Sequence, residues 1–176
     1  MPSLTEPAKI ALVLGGVRSG KSRHAEQLVE SAALPPPWIY VATAEAFDSE
    51  MEHRIATHRE RRSSHWVTRD APIDLPGALR DAPAAAPVLV DCLTLWLSNL
   101  MLAERDVESA SDELVAACRA RLAPLVLVSN EVGLGIVPDN SLARRFRDEA
   151  GRLHQRLAAE ADRVLFLVAG LPITVK

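Results

Sequence analysis

Eight consecutive residues of the 176-residue chain read directly as chemistry: Gly15-Gly16-Val17-Arg18-Ser19-Gly20-Lys21-Ser22, a complete G-x-x-x-x-G-K-S pattern. Glycines let such a loop curl until several backbone N–H groups point inward at phosphate oxygens, and the helix that follows adds its partial positive charge. Lys21 is expected to reach the β- and γ-phosphates, and Ser22 to offer its hydroxyl to Mg²⁺. An apolar run precedes the pattern and a helical one follows it, which is the context the mechanism requires. Nucleotide binding is the strongest single inference.

A metal held on those phosphates needs an acid on a neighbouring strand, and Val88-Leu89-Val90-Asp91 ends an apolar run with one. Asp91 also reads as the N-cap of a helix starting near Leu93, a role compatible with holding metal. Glu131 follows the run Leu125–Ser129. At a strand end it would ligate metal through water or position a substrate hydroxyl; the alternative is an ordinary loop acid.

A second constellation lies in Asp48–Arg62, which reads as a helix opened by Asp48-Ser49-Glu50. Arg54, His58 and Arg62 recur four residues apart and share a face. Like charges at that spacing repel, and an anion between them would account for the arrangement. Imidazole is a base and nucleophile near neutral pH, and guanidiniums suit the spread charge of a phosphoryl or nucleotidyl transition state. Spacing leaves two readings of His58: a catalytic or phosphate-contacting residue, or part of a basic surface helix. His24 and His53 read as solvent-facing, His65 precedes Trp66 in a loop, and His154 lies beside the apolar stripe of the last long helix.

The elements that must position these residues follow from five short apolar runs: Ile10–Leu14, Trp38–Ala42, Val88–Asp91, Leu125–Ser129 and Val164–Val168. Apolar residues run on without alternation, as in strands buried on both faces. Between them lie helical segments. Ser19–Ser31 places Ala25, Leu28 and Val29 on one face, and Leu142, Phe146, Ala150, Leu153, Leu157 and Ala161 form a stripe at steps of four and three. Alternating strands and helices predict an α/β fold with a mainly parallel sheet flanked by helices; with the phosphate loop added, the expected fold is a three-layer sandwich of the P-loop NTPase, RecA-like kind. Ile173–Val175 is expected to add an edge strand after a Gly170-Leu171-Pro172 turn. One domain over residues 10–176 is expected, with residues 1–9 as a frayed tail.

Composition narrows the class. With 48% apolar residues, a chain of this length closes a core without disulfide or metal staples. A net charge of −3 argues against nucleic-acid binding by bulk positive charge. That balance conceals an uneven spread: His53–Arg69 holds five Arg and three His against one Glu. Cys92 and Cys118 are isolated, which fits a reducing cytoplasm and gives no zinc pattern. Residues 1–9 contain no apolar core of a signal peptide. Val88–Ala103 is interrupted by polar residues and falls short of the roughly 20 needed to span a bilayer. A soluble, cytoplasmic protein is expected.

Taken together, the residues resemble the bifunctional adenosylcobinamide kinase/adenosylcobinamide-phosphate guanylyltransferase family over Leu12–Lys176. The pieces are Leu14–Ser22, Tyr40-Val41-Ala42-Thr43-Ala44, Glu50-Met51 with Arg54-Ile55 and His58-Arg59, Trp66-Val67-Thr68, and Val90–Trp96 with Asn99. They continue through Ser129–Pro138, Arg145–Asp148 with Gly151, and Gly170-Leu171-Pro172. A phosphate loop alone is generic; an Arg inside it together with Asn-Glu-Val-Gly-Leu-Gly-Ile-Val-Pro is specific.

The resemblance implies phosphorylation of adenosylcobinamide by ATP or GTP, then transfer of GMP from GTP through a guanylylated histidine, releasing pyrophosphate. The family's histidine falls on His58. Nucleotide contacts carry over to Gly15–Ser22 (Gly15, Gly16, Val17, Arg18, Ser19, Gly20, Lys21, Ser22), to Ala42, Thr43 and Ala44, to Arg59, Glu60, Arg61 and Arg62, and to Asp70 and Asp91. Asp70 stands where the family commonly has Glu, and Ser63-Ser64 where Arg-Pro is frequent. A homotrimer is implied. Two rival readings are a monofunctional small-molecule P-loop kinase without a covalent histidine, and a RecA-like ATPase or nucleic-acid-binding module.

Overall fold

The computed structural model describes residues 8–32, 34–45 and 62–176. In chain order these form β1 (Ile10–Gly15), α1 (Lys21–Glu30), β2 (Trp38–Ala42), β3 (Trp66–Asp70), α2 (Leu75–Asp81), β4 (Val88–Asp91), α3 (Leu93–Leu102), α4 (Val107–Ala120), β5 (Leu125–Asn130), α5 (Ser141–Glu160), β6 (Arg163–Val168) and β7 (Leu171–Thr174). They build one seven-stranded sheet in the order β3-β2-β4-β5-β1-β6-β7. Every pairing is parallel except β6 with β7.

The apolar runs are strands because each has two faces to bury. In the central strands Ile10, Leu12, Val88, Val90, Leu125 and Leu127 pack with side chains from α2 to α5. The intervening Ala11, Val13, Leu89, Val126 and Val128 pack with Ala25 and Val29 of α1. This is the expected α/β layering, with helices covering both faces of a mostly parallel sheet. Side chains cap three of the helices: Asp74 accepts from the N–H group of Gly77, Asp106 from those of Glu108 and Ser109, and Asn140 from that of Ala143. Among the described residues no helix is long and apolar enough to cross a membrane.

Four local expectations are corrected. Trp66, placed in a loop by the sequence reading, opens β3. That strand sits at the sheet edge and buries only Trp66, so it lacks the continuous apolar run that marks the central strands. Its register on β2, from Trp38 opposite Trp66 to Ala42 opposite Asp70, fixes it in place. The final strand starts at Leu171 rather than Ile173, because the reversal is made by Ala169 and Gly170, both at positive φ (51° and 83°). Two such residues form the tight turn whose twist suits a hairpin, and proline is tolerated on the resulting edge strand.

In α5 the stripe is buried from Ala150 to Leu157, but Leu142 is exposed. Arg62, expected at the end of a helix, lies in a bend; the remainder of that expected helix lies outside the described residues.

Candidate active site

The phosphate loop leaves β1 at Gly15 and re-enters regular structure at Lys21, the first residue of α1. Two glycines are required for distinct reasons. A Cβ on Gly15 would lie 2.7 Å from the Leu167 carbonyl oxygen and from Ser19 Oγ, and Gly20, at φ 92°, is in the left-handed region. Arg18 shares that left-handed conformation at φ 56°, which non-glycine residues adopt rarely and chiefly where surrounding structure enforces it.

Lys21 is buried, and its Nζ donates to the Gly16 carbonyl at 2.6 Å, closing the loop on itself. Burial lowers its pKa, while the charge of Asp91, and then of Cys92, pulls it back up. Ser19 Oγ is buried with no hydrogen-bond partner among the described residues. A phosphate oxygen seated in the loop would accept from it and remove that desolvation cost.

Asp91 ends β4, in register with Ala42 of β2, which is in turn in register with Asp70 of β3. Three of the expected residues therefore form a row along the carboxyl edge of the sheet, the edge from which the phosphate loop also departs. The N-cap reading of Asp91 is corrected: Cys92 occupies the N-cap position of α3, and no side chain caps that helix. Instead, Asp91 Oδ2 accepts from the Tyr40 hydroxyl at 2.8 Å. Burial, then the neighbouring Asp91 charge, pushes the Tyr40 phenol well above its ordinary range, so it stays protonated and donates. The Arg62 guanidinium lies 3.5 Å from the centroid of the same ring and donates to Thr68 Oγ1. A cation over that face is attracted by the ring quadrupole.

Behind this row Thr43 is fully buried. Its hydroxyl donates to the Cys92 carbonyl and accepts from the Cys92 N–H, its own N–H donates to the Asp91 carbonyl, and its carbonyl accepts from Asn99 Nδ2. Every polar atom of Thr43 is thus engaged within the protein. These bonds tie the end of β2 to the end of β4, and Ala42 and Ala44 on either side of Thr43 are half-buried at the edge. Burial and the Asp91 charge push the Cys92 thiol up to about 11, which keeps it a thiol at neutral pH.

Glu131 leaves β5 with its N–H donating to the Gly15 carbonyl at 2.9 Å. It lines an open groove of about 640 Å³ together with Gly16, Val17, Arg18 and Ser19. Its carboxylate accepts from the Gly133 N–H. Beneath it His154, far from exposed, meets Ser129 Oγ at 2.7 Å. Burial lowers the His154 pKa and the Glu131 charge partly offsets this. His24 is half-buried rather than solvent-facing, and burial lowers its pKa too.

The donor set suits Mg²⁺. Among the described residues no group of three or more His, Cys, Asp or Glu assembles; the Asp91 carboxylate and the Ser22 hydroxyl are the donors expected from the sequence. Mg²⁺ typically takes one or two protein oxygens and completes its octahedron with phosphates and water. Arg54, His58, Arg59, Glu60 and Arg61 lie outside the described residues. Sequence reasoning missed Tyr40, Asn99 and the His154–Ser129 pair. The available signal was a phenol, an amide and an imidazole set among core residues, since such groups are buried only with partners.

A phosphate loop, a strand-end acid and a mostly parallel sheet are shared by many enzymes; similarity over the whole chain is more selective. A family profile described as cobinamide kinase / cobinamide phosphate guanyltransferase matches residues 11–175. The chain belongs to this family. It is 49% identical over 168 residues to the bifunctional adenosylcobalamin biosynthesis protein CobP of Pseudomonas aeruginosa, covering 94% of this chain and 96% of that one. It is 42% identical over 181 residues to the bifunctional adenosylcobalamin biosynthesis protein CobU of Salmonella typhimurium, covering 94% and 98%.

The fold of this cobinamide kinase/guanyltransferase family member is also that of more distant proteins. The flagellar accessory protein FlaH of Methanocaldococcus jannaschii superposes with a TM-score of 0.54 at 11% identity, covering 96% of this chain and 78% of that one. A KaiC-like protein of Pyrococcus horikoshii gives 0.51 at 15% identity, covering 94% and 77%.

Proposed function

We propose that one sheet edge serves both reactions of the family: ATP or GTP phosphorylates adenosylcobinamide, and GMP from GTP is then passed through His58 to that phosphate, giving adenosylcobinamide-GDP. The observation that carries this reading is a complete phosphate loop, with buried Lys21 closing it on the Gly16 carbonyl and Asp91 at the same sheet edge, in a chain of this family.

In the first reaction the cobinamide hydroxyl oxygen attacks the γ-phosphorus, the bond to the β–γ bridging oxygen breaks, and the nucleoside diphosphate leaves. Lys21, freed from the Gly16 carbonyl, places its ammonium on the β- and γ-phosphates, while the loop N–H groups hold their oxygens. Glu131, at the groove wall, is positioned to orient the hydroxyl and receive its proton. In the second reaction a neutral His58 nitrogen attacks the α-phosphorus of GTP and pyrophosphate leaves, forming a phosphoramidate. An oxygen of cobinamide phosphate then attacks that phosphorus, the P–N bond breaks, and His58 is regenerated.

Asp91 and Ser22 would hold Mg²⁺, which when bound supplies charge neutralisation on the phosphates. The Tyr40 hydroxyl fixes one Asp91 oxygen and leaves the other for the metal. Arg62, and Arg54 on the same predicted face, would meet phosphate charge, with Arg59, Glu60, Arg61 and Asp70 completing the nucleotide contacts.

A homotrimer is the assembly we favour. Leu171, Ile173 and Val175 are all exposed on or beside β7, an edge strand of the sheet among the described residues, and such edges invite pairing with another copy. A reducing cytoplasm suits the two free, buried cysteines.

The test is incubation with GTP labelled at the α-phosphorus. The wild-type chain is expected to acquire acid-labile, base-stable label, and His58→Asn none, while His58→Asn still phosphorylates cobinamide. An unlabelled wild type, or label persisting in His58→Asn, would contradict the covalent route.

A further inference from the structure

The loop between β5 and α5 is built inside out. Its backbone is clamped from α5: Arg147 donates to the carbonyls of Gly133 at 2.9 Å and Ile136 at 3.2 Å, and Arg144 to those of Pro138 at 2.9 Å and Asp139 at 2.6 Å. Beyond Val132, which packs against the core, its aliphatic side chains face outward. Leu134 is 82% exposed, Ile136 97% and Val137 63%. A loop that wanders through solvent has no need of four carbonyl clamps, and one that folds for its own stability turns its aliphatic side chains in. Fixed, adjacent and exposed apolar side chains mark a surface that something covers.

We propose that this loop is the platform on which the corrinoid ring of the acceptor lies during phosphoryl transfer. The proposal rests on the cobinamide kinase reading and locates its larger substrate. Continuity with the phosphate loop carries it: Leu134 and Val17, itself 77% exposed, line the same groove as Gly16 and Ser19. The acceptor hydroxyl must reach the γ-phosphate, so the molecule bearing it approaches over this wall.

Size places the ring outside the groove. Pockets of about 300–1,000 Å³ hold drug-sized ligands, and a groove of about 640 Å³ occupied by nucleotide has no room for a corrinoid macrocycle as well. Chemistry agrees with the position. The ring presents methyl-bearing apolar faces and neutral amide arms, and residues 132–138 carry no charged side chain. The platform is distinct from the exposed apolar residues of β7, where an open sheet edge suits a copy of the chain.

The experiment compares the full-length wild type with Ile136→Asn/Val137→Asn, both exposed positions outside the groove lining whose replacement leaves the core intact. KM for cobinamide and for ATP is measured in the kinase reaction, and mass by sedimentation. The double variant is expected to raise KM for cobinamide at least tenfold, with KM for ATP and the assembly mass unchanged. Arg147→Ala, which removes two clamps and no apolar side chain, is expected to raise it by a smaller factor, and Arg147→Lys to restore part of the loss. An unchanged KM for cobinamide in the double variant overturns the platform. A fall in assembly mass overturns it also, by making the loop a contact between copies. A wild type that neither binds nor phosphorylates cobinamide removes the enzymatic reading itself, and the platform with it.

Discussion

At the β2–β4 half of the functional edge, polar side chains turn inward and pair with one another, whereas in the loop after β5 the backbone is paired and aliphatic side chains turn outward. In the first region Tyr40 donates to Asp91, Thr43 is locked to Cys92, and Asn99 satisfies the carbonyls of Thr43 and Pro72. In the second, arginines hold four carbonyls while Leu134 and Ile136 stand in solvent. One construction fixes charge to within a fraction of an ångström, as metal and phosphate chemistry demands. The other fixes shape and offers apolar area, as recognition of a large neutral ring demands. On the proposed reading, reaction and recognition are divided between neighbouring strand ends.

The sharpest way to break this division is to remove charge from the paired region. Asp91→Asn keeps an acceptor for Tyr40 but loses the carboxylate, and turnover in the kinase reaction is expected to fall about 10²- to 10³-fold with the fold intact. Near-normal kcat would move the chemistry elsewhere.

Next in size is Asn99→Leu, which leaves the Thr43 and Pro72 carbonyls without their donor. A loss of about 2–4 kcal/mol is expected, or roughly 5–15 °C in Tm; a melting curve superposing on wild type would show the network to be dispensable. Tyr40→Phe leaves the ring under Arg62 and removes only the hydroxyl. It is expected to raise the Mg²⁺ concentration for half-maximal activity about tenfold, and an unaltered Mg²⁺ titration would deny Tyr40 a positioning role.

The smallest effect concerns pH and the support beneath the β5 exit. Burial lowers the folded-state pKa of His154 and His24. Above their ordinary value of about 6.5 both are neutral folded or unfolded; below it the unfolded chain binds protons that the folded chain refuses, so stability falls with acid. Tm is expected to drop between pH 7.5 and 5.5, and to drop less in His154→Gln. Equal slopes in the two proteins would remove His154 from the account.

The same contrast explains what the sequence made legible. The central strands were readable because parallel strands buried on both faces become unbroken apolar runs, and the phosphate loop because its glycines and Lys21 have no substitutes. β3 was not, since an edge strand such as Trp66–Asp70 needs only one buried side chain. Tyr40 read as one more core residue, because its pairing partner Asp91 lies 51 positions away and long-range polar pairs leave no periodic signature. The clamps on the β5 exit loop were invisible for a related reason: Arg144 and Arg147 look like any charged face of a helix until their distances to backbone carbonyls are known.

The central claim is that a single phosphate loop serves both phosphoryl and guanylyl transfer. Lys21→Met tests it most directly, with cobinamide phosphorylation by ATP and transfer of α-phosphorus label from GTP to the protein measured on the same preparation. Both rates are expected to fall together by at least about 10². Guanylylation at the wild-type rate in a variant that no longer phosphorylates cobinamide would show a second nucleotide site and contradict the account.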